Sequence, residues 1–479
     1  MASPVRLSPQ VQRIQQSLPY ADIYTNASVN SMRSRENTQH RNLTLPHAHP
    51  DISRWQNPGG WGARHVNDTA PFTLWDEDAR KFRFPDANEK QWIRNKYGNT
   101  RIGQSDWFMW IETDSPPHPI PLTLGCMPVR FTRIGERPYE ALAPITYSNP
   151  RIKDPCPNLA WPRMSFPTRE QSVRLLTALK PLANIRGIIY LPNWTIVELR
   201  YGDGRIYEPR SLPGRVAGRT TLYHHAEKPF YDGMTSQTRA RAIDPSRRTS
   251  ISGPLPQDDS NYLRRAYLTP GCRVESGYGS AGSSTESVNC ATTLGVKLRN
   301  MRGQEAVTVA HHGFLISNDV YHPRASEDLI GTIFDTRPEL DIAFAKLTPA
   351  ASASFTNACN FQAEPPQRLV PGDMIQAGSW SEVDGMSSGL VSLMACGRYD
   401  MEPARPVGHP EIPFERWNAQ SINSVFGVIN ATISDGICGA PIVDCDTGGI
   451  TGFFHLFDGT VNCLSAHLDD LLAEGWQVV

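Results

Sequence analysis

Three segments of the chain set a base, an acid and a nucleophile in one order. VTVAHHGF (Val307–Phe314) runs β-branched residues into paired histidines, His311 and His312, and a glycine. DIAFAKL (Asp341–Leu347) puts an acid at the head of an alternating strand. SDGICGAPIVD (Ser434–Asp444) holds Cys438 between Gly436 and Gly439 at the entry to a buried strand. The chemistry open to these types is acyl transfer through a thiol. A nucleophile on a tight turn can aim its side chain and two backbone N–H groups at one carbonyl carbon. Gly436 and Gly439 permit such a turn, and the N–H groups of Gly436 and Cys438 would form the oxyanion hole. A histidine takes the thiol proton and returns it to the leaving group. An acid beyond it fixes the tautomer and stabilises the imidazolium. A neighbouring imidazole also depresses a thiol's pKa and yields thiolate.

Together the three segments resemble the His, Asp and nucleophile segments of chymotrypsin-like (trypsin-like, PA-clan) proteases, which carry TAAH-like, DIALLKL-like and GDSGGP-like strings in that order. The resemblance covers residues 263–479. It spaces His312 and Asp341 by 29 positions and Asp341 and Cys438 by 97, intervals that suit compact bacterial and viral members. Cysteine where the serine enzymes have serine resembles the viral 3C-type proteases. Ser434 precedes the loop, where the family places no nucleophile. The resemblance implies a double β-barrel, an endopeptidase acting on peptide or protein substrates, and a Cys438–His312–Asp341 triad that needs no cofactor and no metal. A catalytically inactive protease-like module that binds peptides or protein partners is the alternative.

The base stays open between two residues. Counting three on from Thr308, as in TAAH, lands on His311, whereas Ala-x-His followed by glycine lands on His312. Adjacent residues on a strand point to opposite faces, so only one can meet Cys438. His312 is preferred, on a strand that bends at Gly313. Asp335, read as lying in a turn, is the lesser alternative to Asp341. GITGFFH (Gly449–His455) resembles the strand lining the specificity pocket. Trypsin-like enzymes have an Asp six residues before the nucleophile, where this chain has Thr432, so Arg or Lys specificity is not implied. In 3C-like enzymes a Thr and a His hold a glutamine amide, and Thr432 and His455 are the substrate-binding candidates on that likeness.

Many short strands must position these residues. From residue 263 onward, β-branched runs alternate with Gly and Asp turns, as in a sandwich or barrel. One helix, Ala466–Glu474, is predicted after Ser465 as N-cap. Residues 61–226 read as an α+β domain of unknown function. There Thr168 and Gln171 make a capping box for a helix through Leu179, followed by strands at Gly187–Pro192 and Thr195–Leu199 and a turn at Tyr201–Gly204 leading into Arg205–Tyr207. Residues 1–60, rich in Asn, Ser, Gln and Arg, read as a partly disordered arm, and 227–262 as a solvated linker. The expected fold class is thus multi-domain, an α+β N-terminal domain before an all-β C-terminal double barrel with a C-terminal helix. The whole chain also resembles long filamentous-fungal proteins with a trypsin-like C-terminal half, on the strings DPCP, SLPG and HGF; that likeness implies architecture and no activity.

Composition excludes several classes. A chain of 479 residues exceeds one ordinary core, and a mean hydropathy of -0.41 describes a foldable, water-compatible sequence. No apolar run reaches the about 18 residues that a membrane helix needs. Nine widely spread cysteines form no CxxC pair, which argues against zinc ribbons and for a reducing, intracellular, cytoplasmic setting. Neither a P-loop nor a dinucleotide fingerprint is present. The net charge of -1 splits into +10 over residues 1–262 and -11 over 263–479. The positive half is mostly dispersed arginine without a recognised RNA or DNA motif, which argues against nucleic acid as a partner. Oligomeric state is left open.

Overall fold

A computed structural model describes residues 65–134 apart from 67, 80, 99, 105–108, 115–116 and 118–119; residues 164–225 apart from 192–193, 201–211, 214 and 218; residues 241–242; and residues 267–479 apart from 278–289, 326, 360, 387, 404–411, 427–432, 434–435 and 458–461. The arm, nearly all of the linker, the turn at Tyr201–Gly204 and Thr432 fall outside the described residues. Within them β-sheet predominates, and the α-helices are Ala87–Tyr97, Arg169–Leu179, Pro349–Ser354 and Asp469–Ala473.

The strands that adjoin the histidines and the acid are buried on both faces. Strand Glu305–Ala310 pairs antiparallel with Ile342–Leu347, Val307 opposite Ala345 and Val309 opposite Ala343. These four side chains share a core with Val274, Leu294, Val320, Ile330 and Ile333. The intervening Ala306, Ile342 and Phe344 face a second core with Ile450, Phe453, Leu471 and Trp476. Because side chains alternate along a strand, two buried faces require an unbroken apolar run, which IAFA supplies. Phe344 lies flat on Trp476, ring centroids 4.3 Å apart, and so ties the strand to the C-terminal segment.

This sheet bonds back on itself. Its order runs Cys290–Thr293, Arg273–Ser276, Asp319–His322, Asp328–Arg337, Ile342–Leu347, Glu305–Ala310. Beyond Thr293 the chain reaches the far edge: the Gly295 N–H donates to Thr308 O at 2.8 Å and the Thr308 N–H to Val296 O at 3.0 Å. Lys297–Arg299 then pairs with Glu305–Val307. One continuous stretch therefore satisfies both edges of the sheet, which leaves fewer open backbone groups for unwanted pairing.

A second sheet positions the cysteine. It runs Ile450–Phe453, Pro441–Asp444, Trp380–Gly385, Gly389–Met401, Asn418–Phe426, Asn462–Ala466. Gly389–Met401 spans 13 residues, long enough to serve two partners. Its far end pairs with Gly187–Tyr190, from Met401 opposite Gly187 to Arg398 opposite Tyr190. Strands on both sides of residues 227–262 thus share one sheet. Helix Arg169–Leu179 starts with the predicted reciprocal capping by Thr168 and Gln171. It lays Leu175, Leu176 and Leu179 on Ile188, Tyr190 and Val197, with Trp417 in the same cluster.

Local structure departs from expectation at four places. Ser465 and Ala466 pair with Ser421 and Gln420 in the sheet, so the last helix begins only at Asp469. Ladder bonds there outweigh the N-capping tendency of serine. The paired histidines lie on a 3₁₀ turn, His311–Gly313, and not on the strand, which ends at Ala310. Asp341 is not the first strand residue but a left-handed residue, φ 55°, between the turn Pro338–Leu340 and strand Ile342–Leu347. Asp335 lies inside strand Asp328–Arg337, where it pairs with Arg337 and not in a turn.

Candidate functional site

Asp341 is the anchor of the site. Its backbone conformation is uncommon for a residue with a Cβ and is tolerated most readily by Asp and Asn. The turn aims both carboxylate oxygens at the histidine turn. Oδ1 accepts the His312 backbone N–H at 2.9 Å, and Oδ2 meets His312 Nδ1 at 2.6 Å. The Asp341 carbonyl accepts the His311 N–H at 3.0 Å. His311 thus contributes its backbone, while His312 contributes its ring. A 3₁₀ turn serves here better than an extended strand would, because it sets two successive N–H groups facing one residue.

Asp341 is buried, and a lone buried carboxylate would take up a proton. Burial does push its pKa up, but the His312 hydrogen bond, the imidazole of His455 and the charge and backbone N–H of His312 outweigh it. The net shift is downward, so Asp341 is ionised at neutral pH. With Asp341 accepting at Nδ1, His312 presents Nε2 as its second nitrogen.

His455 follows the end of strand Ile450–Phe453. Its Nε2 lies 3.6 Å from Asp341 Oδ2, and its ring stacks near His312, centroids 6.2 Å apart and planes at 29°. Burial lowers its pKa; Asp341 opposes that shift and His312 reinforces it. His312, Asp341 and His455 offer metal-ligating atoms within 4.8 Å of one another. Ligands at about 2.1 Å from a tetrahedral zinc stand about 3.4 Å apart. The 2.6 Å between His312 Nδ1 and Asp341 Oδ2 is instead the spacing of a shared proton.

Cys438 sits on the turn before strand Pro441–Asp444, with Gly436 at φ 107° and Gly439 at φ 90°. A Cβ on Gly439 would lie 2.7 Å from Thr293 O and 2.9 Å from Ala310 N, so only glycine lets this turn dock beside the histidine turn. Thr293 clasps it. Its N–H donates to Cys438 O at 3.0 Å, and its hydroxyl donates to Gly436 O at 2.7 Å while accepting the Met386 N–H at 3.0 Å. The Cys438 side chain is buried, and its thiol donates to the His455 carbonyl at 3.2 Å.

The structure therefore gathers His312, Asp341, His455 and Cys438 through successive contacts. His455, expected in a substrate pocket, has its ring against the acid. Thr293 escaped sequence reasoning, because CATTLG carries no motif and its role depends on two loops distant in the chain.

No family model and no curated protein matches this chain. Among solved structures it is similar to a glutamic acid specific serine protease described as using a histidine triad in substrate binding, with 12% identity, TM-score 0.28, 44% of this chain and 100% of that one covered. A Nocardiopsis protease matches at 13% identity and TM-score 0.29, over 44% of this chain and 97% of its own. Thermobifida fusca protease A matches at 14% identity and TM-score 0.28, over 44% and 99% respectively.

Proposed function

We propose that the chain is an endopeptidase of chymotrypsin-like double-barrel fold that hydrolyses peptide bonds through Cys438, His312 and Asp341. The observation that carries this reading is the two-point grip of Asp341 on His312, which orients the ring and makes Nε2 the nitrogen that would take the proton. Two further features support it. The first sheet bonds both its edges to residues 290–299, and in the second a Cβ on Gly452 would lie 3.0 Å from Ser465, so its outer strands approach each other. The Cys438 turn docks on Ala310, next to the histidine turn.

In the reaction, His312 Nε2 takes the thiol proton as sulfur attacks the scissile carbonyl carbon. The oxyanion is held by the N–H groups of Gly436 and Cys438. The imidazolium gives its proton to the leaving amine, and the C–N bond breaks to leave a thioester. Water, deprotonated by His312, cleaves that thioester and returns the thiol. Thr432 and the strand Ile450–Phe453 set specificity on this reading, and the setting is a reducing cell interior.

One observation favours the second reading, a non-catalytic peptide-binding module: the Cys438 thiol is enclosed and turned to the His455 carbonyl. Incubation with a peptide library and with a thiol-reactive peptide trap separates the two. The peptidase cleaves and is labelled stoichiometrically at Cys438; a binding module retains peptides and does neither.

A further inference from the structure

His455 touches every member of the proposed triad. Its ring nitrogen Nε2 is 3.6 Å from Asp341 Oδ2, its ring stacks near His312, and its own carbonyl accepts the Cys438 thiol at 3.2 Å. The remaining nitrogen, Nδ1, is closed to solvent and makes no hydrogen bond among the described residues. A residue built to read a glutamine amide needs a ring nitrogen open to the ligand. Here one nitrogen faces the acid and the other is sealed.

Resting on the peptidase reading above, we infer that His455 is a positioning residue that holds Asp341 and the cysteine turn in register and must be uncharged to do so. An uncharged imidazole donates its Nε2–H toward Oδ2 and leaves the carboxylate's charge to His312. A protonated one divides that charge between two rings. It also sets a second cation beside His312 at the moment His312 accepts the thiol proton. Among the described residues, the titratable groups packed around it come from three elements: Asp341 before its strand, His312 on the 3₁₀ turn and Cys438 on the glycine turn. Burial and His312 hold its pKa below the ordinary histidine value, against the pull of Asp341, so the uncharged form prevails at neutral pH.

Two measurements test this. The first does not depend on turnover: in the Cys438→Ala protein, the titration of His455 is followed by NMR. His312→Asn should move its titration point up, by removing the imidazole that holds it down, and Asp341→Asn should move it down. A titration point indifferent to both changes overturns the inference. The second is the pH profile of peptide cleavage. His455→Leu should lower kcat by about tenfold to hundredfold at nearly constant KM. His455→Gln, whose amide reaches the place of Nε2 and can donate toward Asp341 but cannot titrate, should restore most of kcat and remove one ionisation from the acid limb; it also guards against loss of folding in the leucine variant. A raised KM for glutamine peptides at unchanged kcat would return His455 to the pocket and overturn the inference. If the parent protein cleaves nothing, the peptidase reading fails alone, and the NMR arm still decides whether His455 is coupled to Asp341 and His312.

Discussion

A carboxylate out of contact with water survives only if its surroundings supply what water did, and Asp341 shows how that is arranged. One backbone N–H and one imidazole grip its two oxygens, and a second imidazole stands 3.6 Å off. The grip gives His312 and His311 different weights although they are neighbours. Replacing His312 by Ala removes the ring that Asp341 holds, and should depress peptide cleavage as far as Cys438→Ala does, since members of one catalytic unit are not additive. Replacing His311 by Ala keeps its backbone bond to Asp341, and activity should stay within a few-fold of the parent. Steady-state kinetics of the three variants check this; a severe His311→Ala and a mild His312→Ala would reassign the base. Cys438→Ser should retain some turnover, because the hydroxyl occupies the same turn and can pass its proton to the same imidazole.

Among the elements, the glycine turn and its clasp fix the place of Cys438, the proposed nucleophile. Gly439 has a positive φ and lies against backbone atoms of Thr293 and Ala310 that cannot yield cheaply. Thr293 holds the same turn through its hydroxyl, which serves Gly436 O and Met386 N at once. Thr293→Val keeps the shape and loses both bonds, leaving a buried carbonyl and a buried N–H without that partner. The cost should be about 1–3 kcal/mol in stability, with kcat reduced because the Gly436 N–H is no longer fixed. Thermal melting with parallel kinetics reads both effects. A variant as stable and active as the parent would show that the turn is held by its glycines alone. Farther from the site, Thr168→Ala should cost about 1 kcal/mol through loss of the helix cap and leave kcat unchanged.

At the scale of the whole molecule, the long strand Gly389–Met401 joins regions that composition separates. Arg398 on it is buried, paired with Asp400 and Asp373, and bonded to Pro167 O. A fragment starting at residue 263 would lose the partner strand Ile185–Tyr190 and this carbonyl. It should be markedly less stable than the full chain, measured as a lower urea midpoint, and prone to association through the exposed edge. Near the same seam His467 is buried, with Ser421 Oγ at 3.0 Å from its Nε2. Burial, with Arg398 and Arg169 adding to it, holds its pKa well below the ordinary 6.5. The unfolded chain therefore takes up the proton first as pH falls. This contribution to stability is full above about pH 6.5 and is lost below it, at no more than about 1.4 kcal/mol per pH unit for one proton. Urea unfolding at pH 7.5 and 5.5 measures the slope, which His467→Gln should flatten; an unchanged slope would assign the acid sensitivity to other groups.

What the sequence determined by itself is local: the apolar runs of Glu305–Ala310 and Ile342–Leu347, the capping box at Thr168, and the glycines around Cys438 all follow from side-chain sterics and neighbours a few positions away. Those features sufficed to nominate His312, Asp341 and Cys438. Whatever depended on a partner distant in the chain was not legible. Ser465 and Ala466 read as a helix start until the ladder with Gln420 and Ser421 claims them. His455 read as a pocket residue because its strand resembles a pocket strand, and only the folded chain turns its ring to Asp341. Thr293 carries no signal at all, since a threonine before LG is ordinary until Gly436 and Met386 arrive beside it. Hydrogen bonds and buried charges are settled by which groups meet after collapse, whereas strand, turn and cap preferences are settled by each residue's own bonds, and that difference divides what could be read from what had to fold.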